Sequence, residues 1–224
     1  MKGVIFDMDG TMVDNMMIHH RAWQKQLADL DIFLDLEQVK AEIHGVNEEI
    51  LARMFGDRFT RQERKRISAE KEAAYRSIFK EELALVPGLS KLLNELRGAG
   101  VPLAIGTAAP IENVDFVLDE LELRPYFSAV LHAGSVSQGK PHPEIFLKAA
   151  EAINLPPEQC LIFEDSVTGA EASHRSGAQS IIVTTTHKPE EFVHLDNILS
   201  FVKDFSTLSA DQILDIEPKN QPFT

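Results

Sequence analysis

Gly3-Val4-Ile5-Phe6-Asp7-Met8-Asp9-Gly10-Thr11 decides the reading of this chain. Val4, Ile5 and Phe6 form a short apolar run of the kind found in a strand buried on both faces. The run ends on two carboxylates one residue apart, and Gly10 turns the backbone behind them. In an open α/β sheet, ligands bind in the crevice at the carboxyl ends of the strands. Asp7 and Asp9 are therefore candidates for a nucleophile and a metal ligand. Taken alone, an Asp-x-Asp-Gly string also fits an ordinary turn, because Asp and Gly favour turns. The rest of the chain favours the site.

At 224 residues the chain suits one large domain, or one domain carrying an insertion. Its 44% hydrophobic and 25% charged residues are those of a globular protein. A net charge of −13 argues against nucleic acid, whose phosphates need a basic face. It leaves room for a small phosphorylated metabolite, since a metal ion and one or two local cations can dominate a site. Cys160 is the single cysteine, so no intrachain disulfide forms, which fits a reducing compartment. The sequence opens on a strand without a basic-then-apolar leader, and no apolar run approaches the ~18 residues of a membrane helix. The expected location is the cytoplasm, away from membranes.

Five apolar runs read as strands: residues 3–7, 101–106, 129–132, 160–164 and 180–184. A helical pattern at 89–96 precedes the last four, and patterns at 111–121, 144–153 and 167–176 separate them. Glycines 98, 100 and 177 mark helix ends, and Pro110 and Pro143 mark helix starts. This alternation predicts an α/β fold with a doubly wound parallel sheet. About ninety residues separate the first two strands, far too many for one crossover. Most read as helical: 19–30 by periodicity, 48–55 capped by Asn47, and a long helix to about residue 80 opened by the capping box Thr60-Arg-Gln-Glu63. Residues 15–82 are expected to form an inserted helical domain, with 1–14 and 83–224 as the core. Hinges are expected near 13–16 and 82–87, and a loose tail over 217–224.

Further chemistry-bearing residues sit where the later strands end. Thr107 follows the second strand, where a hydroxyl and free N–H groups suit a phosphate or, equally, cap a helix. Lys140, in Gly139-Lys140-Pro141-His142-Pro143, is stiffened by two prolines; its ammonium can neutralise a phosphate and a carboxylate, or simply be solvated. Glu164 and Asp165 end the fourth strand, and Asp165 can also cap the following helix. Parallel strands bring this pair to the same side as Asp7 and Asp9. Four carboxylates repel one another unless a cation joins them, and oxygen-only ligands favour a hard one, Mg²⁺ first.

Acid pair, threonine, lysine and acid pair, in that order and each at a strand end, resemble the four motifs of the haloacid-dehalogenase superfamily. The branch most similar is the phosphatase and β-phosphoglucomutase-like one with a helical cap. The resemblance implies a Rossmann-like sheet of order 5-4-1-2-3. It implies that Asp7 attacks phosphorus to form an aspartyl-phosphate, and that Asp9 protonates the leaving oxygen and then activates water. Mg²⁺ would bind Asp7, Asp9 through its backbone carbonyl, Asp165 and Glu164, the last directly or through water. Thr107 and Lys140, with backbone N–H groups near Gly10 and Ala108, would hold the phosphoryl oxygens. Asp9 argues against the dehalogenases of the family, and nothing in the cap selects a Schiff-base lysine.

The same resemblance makes the cap decide between hydrolase and mutase. His19, ahead of Arg21-Ala22-Trp23, is similar to the cap segment of β-phosphoglucomutases, and Lys71 lies roughly where those enzymes have a functional lysine. Both also suit exposed helix positions. Against a mutase, Glu48 stands in His44-Gly45-Val46-Asn47-Glu48 where the mutases carry a phosphate-gripping arginine. Pro110 and Ile111 replace a Lys-Asn pair that serves the same phosphate. A phosphatase of small monophosphates, sugar or polyol phosphates, is therefore expected. Asn15, His19, Gly45, Asn47 and Lys71 are candidates for substrate choice. A mutase is the alternative; a catalytically silent binding protein on the same fold is the third reading.

Overall fold

A computed structural model describes residues 1–43 and 45–217, so His44 and the expected tail from residue 218 onward lie outside the described residues. The chain divides into two compact units, Met1–Asp14 with the chain from Ala84 onward, and Asn15–Leu83. Six strands, β1 (Gly3–Phe6), β2 (Leu103–Gly106), β3 (Ala129–Leu131), β4 (Cys160–Glu164), β5 (Gln179–Val183) and β6 (Ile198–Val202), form the first unit's sheet. Their order is β3-β2-β1-β4-β5-β6, all pairs parallel. The expected order 5-4-1-2-3 is present, with β6 added beside β5 as a correction. β6 escapes a sequence reading because three of its five residues are exposed, which breaks the apolar run. In β1, β2, β4 and β5 every residue is buried, as their continuous apolar runs require.

The second unit holds α1 (Met16–Ala28), α2 (Leu36–Glu42), α3 (Asn47–Phe55) and α4 (Arg61–Phe79). The first unit holds α5 (Leu89–Gly98), α6 (Ile111–Glu120), α7 (Glu144–Ala152), α8 (Val167–Ser176) and α9 (Ala210–Leu214). The capping box at Thr60 forms as read: its hydroxyl accepts from the Glu63 N–H, and Glu63 accepts from the Thr60 N–H. A second one, Asp35 with Gln38, opens α2, which the sequence reading passes over. Asn47 does not cap α3. Val46 holds the cap position, and the Asn47 side chain is turned to Glu72 instead. Gly98 is the last residue of α5, and Gly100, at φ +73°, provides the stop.

Side-chain alternation along the strands sets up the site. Ile5, Ala104 and Ile162 are register partners and pack on Ile145, Phe146 and Ala149 of α7. Phe6 and Phe163 face the other way. Their rings stack at 5.1 Å, and Phe205 meets Phe163 edge-on at 5.1 Å. Burying each such side chain is worth about 1.5–3 kcal/mol. The second unit has its own core of Trp23, Leu27, Val39, Ile50, Leu51 and Ile67. Among the described residues no helix is long and apolar enough to cross a membrane.

Candidate active site

Asp7 follows Ile5 by two residues, and Glu164 follows Ile162 by two, so both acids emerge on the α7 face of the sheet. The β1–β4 register runs Phe6 to Phe163, which sets Asp7 beside Glu164. The Asp7 N–H donates to the Phe163 carbonyl at 2.9 Å and extends that pairing. Lys140 reaches the pair from the loop after β3. Its ammonium lies 4.8 Å from the ring centre of Phe146 and donates to Asp7 Oδ1 at 2.6 Å and to Glu164 Oε1 at 2.5 Å. Asp165 completes a buried group with Asp7 and Glu164, each offering an oxygen within 4.8 Å of the others.

Glu164 is fully buried and heavily committed. Oε2 accepts from the Asp165 N–H, the Ser166 N–H and the Ser166 hydroxyl at 2.8, 2.8 and 3.0 Å, while Oε1 takes Lys140. The carboxylate sits on the first turn of α8, where the helix dipole favours negative charge. Gly169 makes room for it: a Cβ there would lie 1.7 Å from Glu164 Oε1. Ser166, not Asp165, caps α8, accepting from the Gly169 N–H at 3.0 Å. Gly10 plays the matching part in the β1 turn. Its φ is +79°, and a Cβ would fall 2.1 Å from Asp165 Oδ2.

Burial pushes the Asp7 carboxyl up to about 7; the charges of Glu164 and Asp9 add to the rise and Lys140 opposes it. Asp165 is pushed well above the usual range by burial, then by Glu164 and Asp7. Burial pulls Lys140 downward, but Asp7 and Glu164 outweigh it and hold the ammonium above its ordinary value. With a cation in place of their protons, three carboxylates against one ammonium leave two negative charges in an all-oxygen cluster. That donor set and charge fit one hard divalent cation.

The other expected residues fall as follows. Asp9 is half-buried, and its carboxylate is not part of the buried group of three. Thr107 is buried one residue past Gly106, the position beside Asp7 in the β1–β2 register. Its hydroxyl accepts from the Ala109 N–H at 3.1 Å, well ahead of the helix at Ile111, and Ala108 is exposed. Within the second unit, Asn15, His19, Asn47 and Lys71 form one network. Asn15 donates to the Tyr75 hydroxyl at 2.6 Å, and the His19 and Tyr75 rings stack at 4.0 Å. Lys71 is buried and lies 2.8 Å from His19 Nδ1 and 2.9 Å from Glu72 Oε1, and Asn47 donates to the same Glu72 oxygen at 2.7 Å. Tyr75 and Glu72 were not foreseen. The four-residue spacing of Tyr75 from Lys71 was an available signal; Glu72, the next residue along the helix, carried none.

A family model described as haloacid dehalogenase-like hydrolase matches residues 1–177. Fructose-1-phosphate phosphatase YqaB of Escherichia coli (strain K12) is 30% identical over 181 residues, covering 81% of this chain and 95% of its own. The phosphorylated carbohydrates phosphatase of Thermotoga maritima is 31% identical over 186 residues, covering 81% and 84%. Among solved structures, β-phosphoglucomutase from Clostridium difficile superposes with a TM-score of 0.80 at 26% identity and covers 96% of both chains.

Proposed function

The chain belongs to the haloacid dehalogenase-like hydrolase family, and we propose that, as a phosphatase of that family, it hydrolyses a small sugar or polyol monophosphate through a phosphoryl group carried on Asp7. The observation that carries this reading is the buried cluster of Asp7, Glu164 and Asp165 around Lys140 at the strand ends. Mg²⁺ would be held by Asp7, Asp165 and the backbone carbonyl of Asp9, and would supply charge neutralisation at the phosphoryl oxygens. Glu164 would join them directly or through water, and it also fixes Lys140 and the Asp165 turn through the hydrogen bonds its oxygens accept.

An Asp7 oxygen attacks phosphorus as the bond from phosphorus to the substrate oxygen breaks. Asp9 gives its proton to that departing oxygen. Water then attacks phosphorus, Asp9 takes the water's proton, and the Asp7 carboxylate is released with inorganic phosphate. Lys140 and Thr107 hold the phosphoryl oxygens through both steps. In the inserted unit, Asn15, His19, Asn47 and Lys71 set substrate choice. Lys71 already shares its charge with Glu72, and Glu48 stands in the cap motif where the mutases carry an arginine, which disfavours a second phosphate on the substrate.

The test is phosphate release from a panel of sugar, polyol, nucleotide and glycolate monophosphates and pyrophosphate, with and without Mg²⁺. Mg²⁺-dependent release from sugar or polyol phosphates supports the proposal. Conversion of glucose 1-phosphate to glucose 6-phosphate after a bisphosphate primer, without net release, makes the chain a mutase. No turnover of any phosphate ester, with the fold and metal binding intact, makes it a binding protein.

A further inference from the structure

Of the three consecutive threonines that follow β5, Thr185 and Thr186 touch both acid-bearing turns. The Thr185 hydroxyl donates a short hydrogen bond to the Gly10 carbonyl. The Thr186 hydroxyl borders the Asp165 carboxylate across Gly10. A Cβ built on Gly10 would sit 2.1 Å from Asp165 Oδ2 and 2.9 Å from Thr186 Oγ1, so turn, acid and hydroxyl meet at one point. From the β1 turn, Thr11 Oγ1 donates to Asp165 Oδ1 at 3.4 Å, a longer contact.

Asp165 is 3% exposed and shares its surroundings with two other carboxylates. A carboxylate so placed is free to rotate unless neutral donors hold it. Thr11 is such a donor, the Thr186 hydroxyl stands beside the same carboxylate, and Thr185 ties the same loop to the turn that carries Asp9. We propose that Thr185 and Thr186 are positioning residues, a clamp from β5 that sets the Asp165 carboxylate and the Asp9-Gly10 turn for cation binding. They act through Asp165 and Gly10. The inference rests on the proposal that Asp165 helps hold Mg²⁺.

The experiment is calorimetric titration of the metal-free chain with Mg²⁺ alone, with Thr186→Val and Thr186→Ser beside the parent. Thr186 is exposed, so valine disturbs no packed core. Loss of a hydrogen bond to a metal-ligating carboxylate typically weakens metal affinity about 10–100-fold. Thr186→Val is expected to show that loss, and Thr186→Ser, which keeps the hydroxyl, is expected to bind close to the parent. Parental affinity in Thr186→Val overturns the clamp, as does equal weakening in both variants. Absence of Mg²⁺ binding in the parent overturns the metal assignment itself, which separates the two failures.

Discussion

At the scale of single residues, Asp7 is held between a cost and a partner. Burial and two neighbouring acids disfavour its charge, and Lys140 opposes them only in part at 2.6 Å. Its carboxyl titrates near 7 in the folded chain and at its ordinary 3.8 when unfolded. A raised folded value means that this group's contribution to stability is greatest below pH 3.8 and is lost as the pH rises to about 7. A cation must displace the protons on Asp7 and Asp165, so its binding strengthens over the same window. The melting temperature is therefore expected to rise more with Mg²⁺ at pH 8 than at pH 6. An equal rise at both would contradict the raised acids. Cys160 is a simpler case. Burial first, and Glu158 second, push its thiol up to about 12. Ellman's reagent should leave the native chain unmodified and titrate a single thiol per chain after denaturation, and rapid native labelling would refute the burial.

At the scale of elements, two glycines make room for carboxylates, and one gives an inverted expectation. Gly→Ala inside a helix ordinarily stabilises by roughly 1 kcal/mol. In Gly169→Ala the methyl would land 1.7 Å from Glu164 Oε1, so destabilisation of about 1–3 kcal/mol is expected in chemical denaturation. A more stable variant would show that Glu164 does not rest on the first turn of α8. The same scale explains what was legible. β1, β2, β4 and β5 are buried on both faces and read directly as apolar runs; β6 is an exposed edge and does not. Asp7, Lys140 and the Glu164-Asp165 pair could be picked out because their residue types are costly to bury without a task. Thr185, Thr186 and Glu72 could not, because their importance comes from partners distant in sequence or on another turn, and Tyr75 offered only its four-residue spacing from Lys71. Asn47 was read as a cap from local propensity, and a contact with Glu72 took its side chain elsewhere.

At the scale of the whole molecule, the chain combines a parallel sheet, whose strand ends gather the acids, with an inserted helical unit that has its own core and its own buried polar network. A lysine buried against Trp23 and Tyr75 is expensive to retain for packing alone. Lys71→Met is expected to lower kcat/KM for the preferred sugar phosphate about 10-fold, with turnover of p-nitrophenyl phosphate less affected. Equal losses on both substrates would remove Lys71 from substrate choice. The central claim is that phosphorus passes through Asp7. Acid-quenched turnover of Asp9→Asn with p-nitrophenyl phosphate, whose leaving group departs without a proton while hydrolysis of the intermediate still lacks its base, followed by peptide mass mapping, tests it most directly. The account predicts a hydroxylamine-labile phosphoryl group on the peptide containing Asp7, absent from Asp7→Asn, whose phosphate release falls at least about 10³-fold. Substantial phosphate release from a folded Asp7→Asn variant would contradict it.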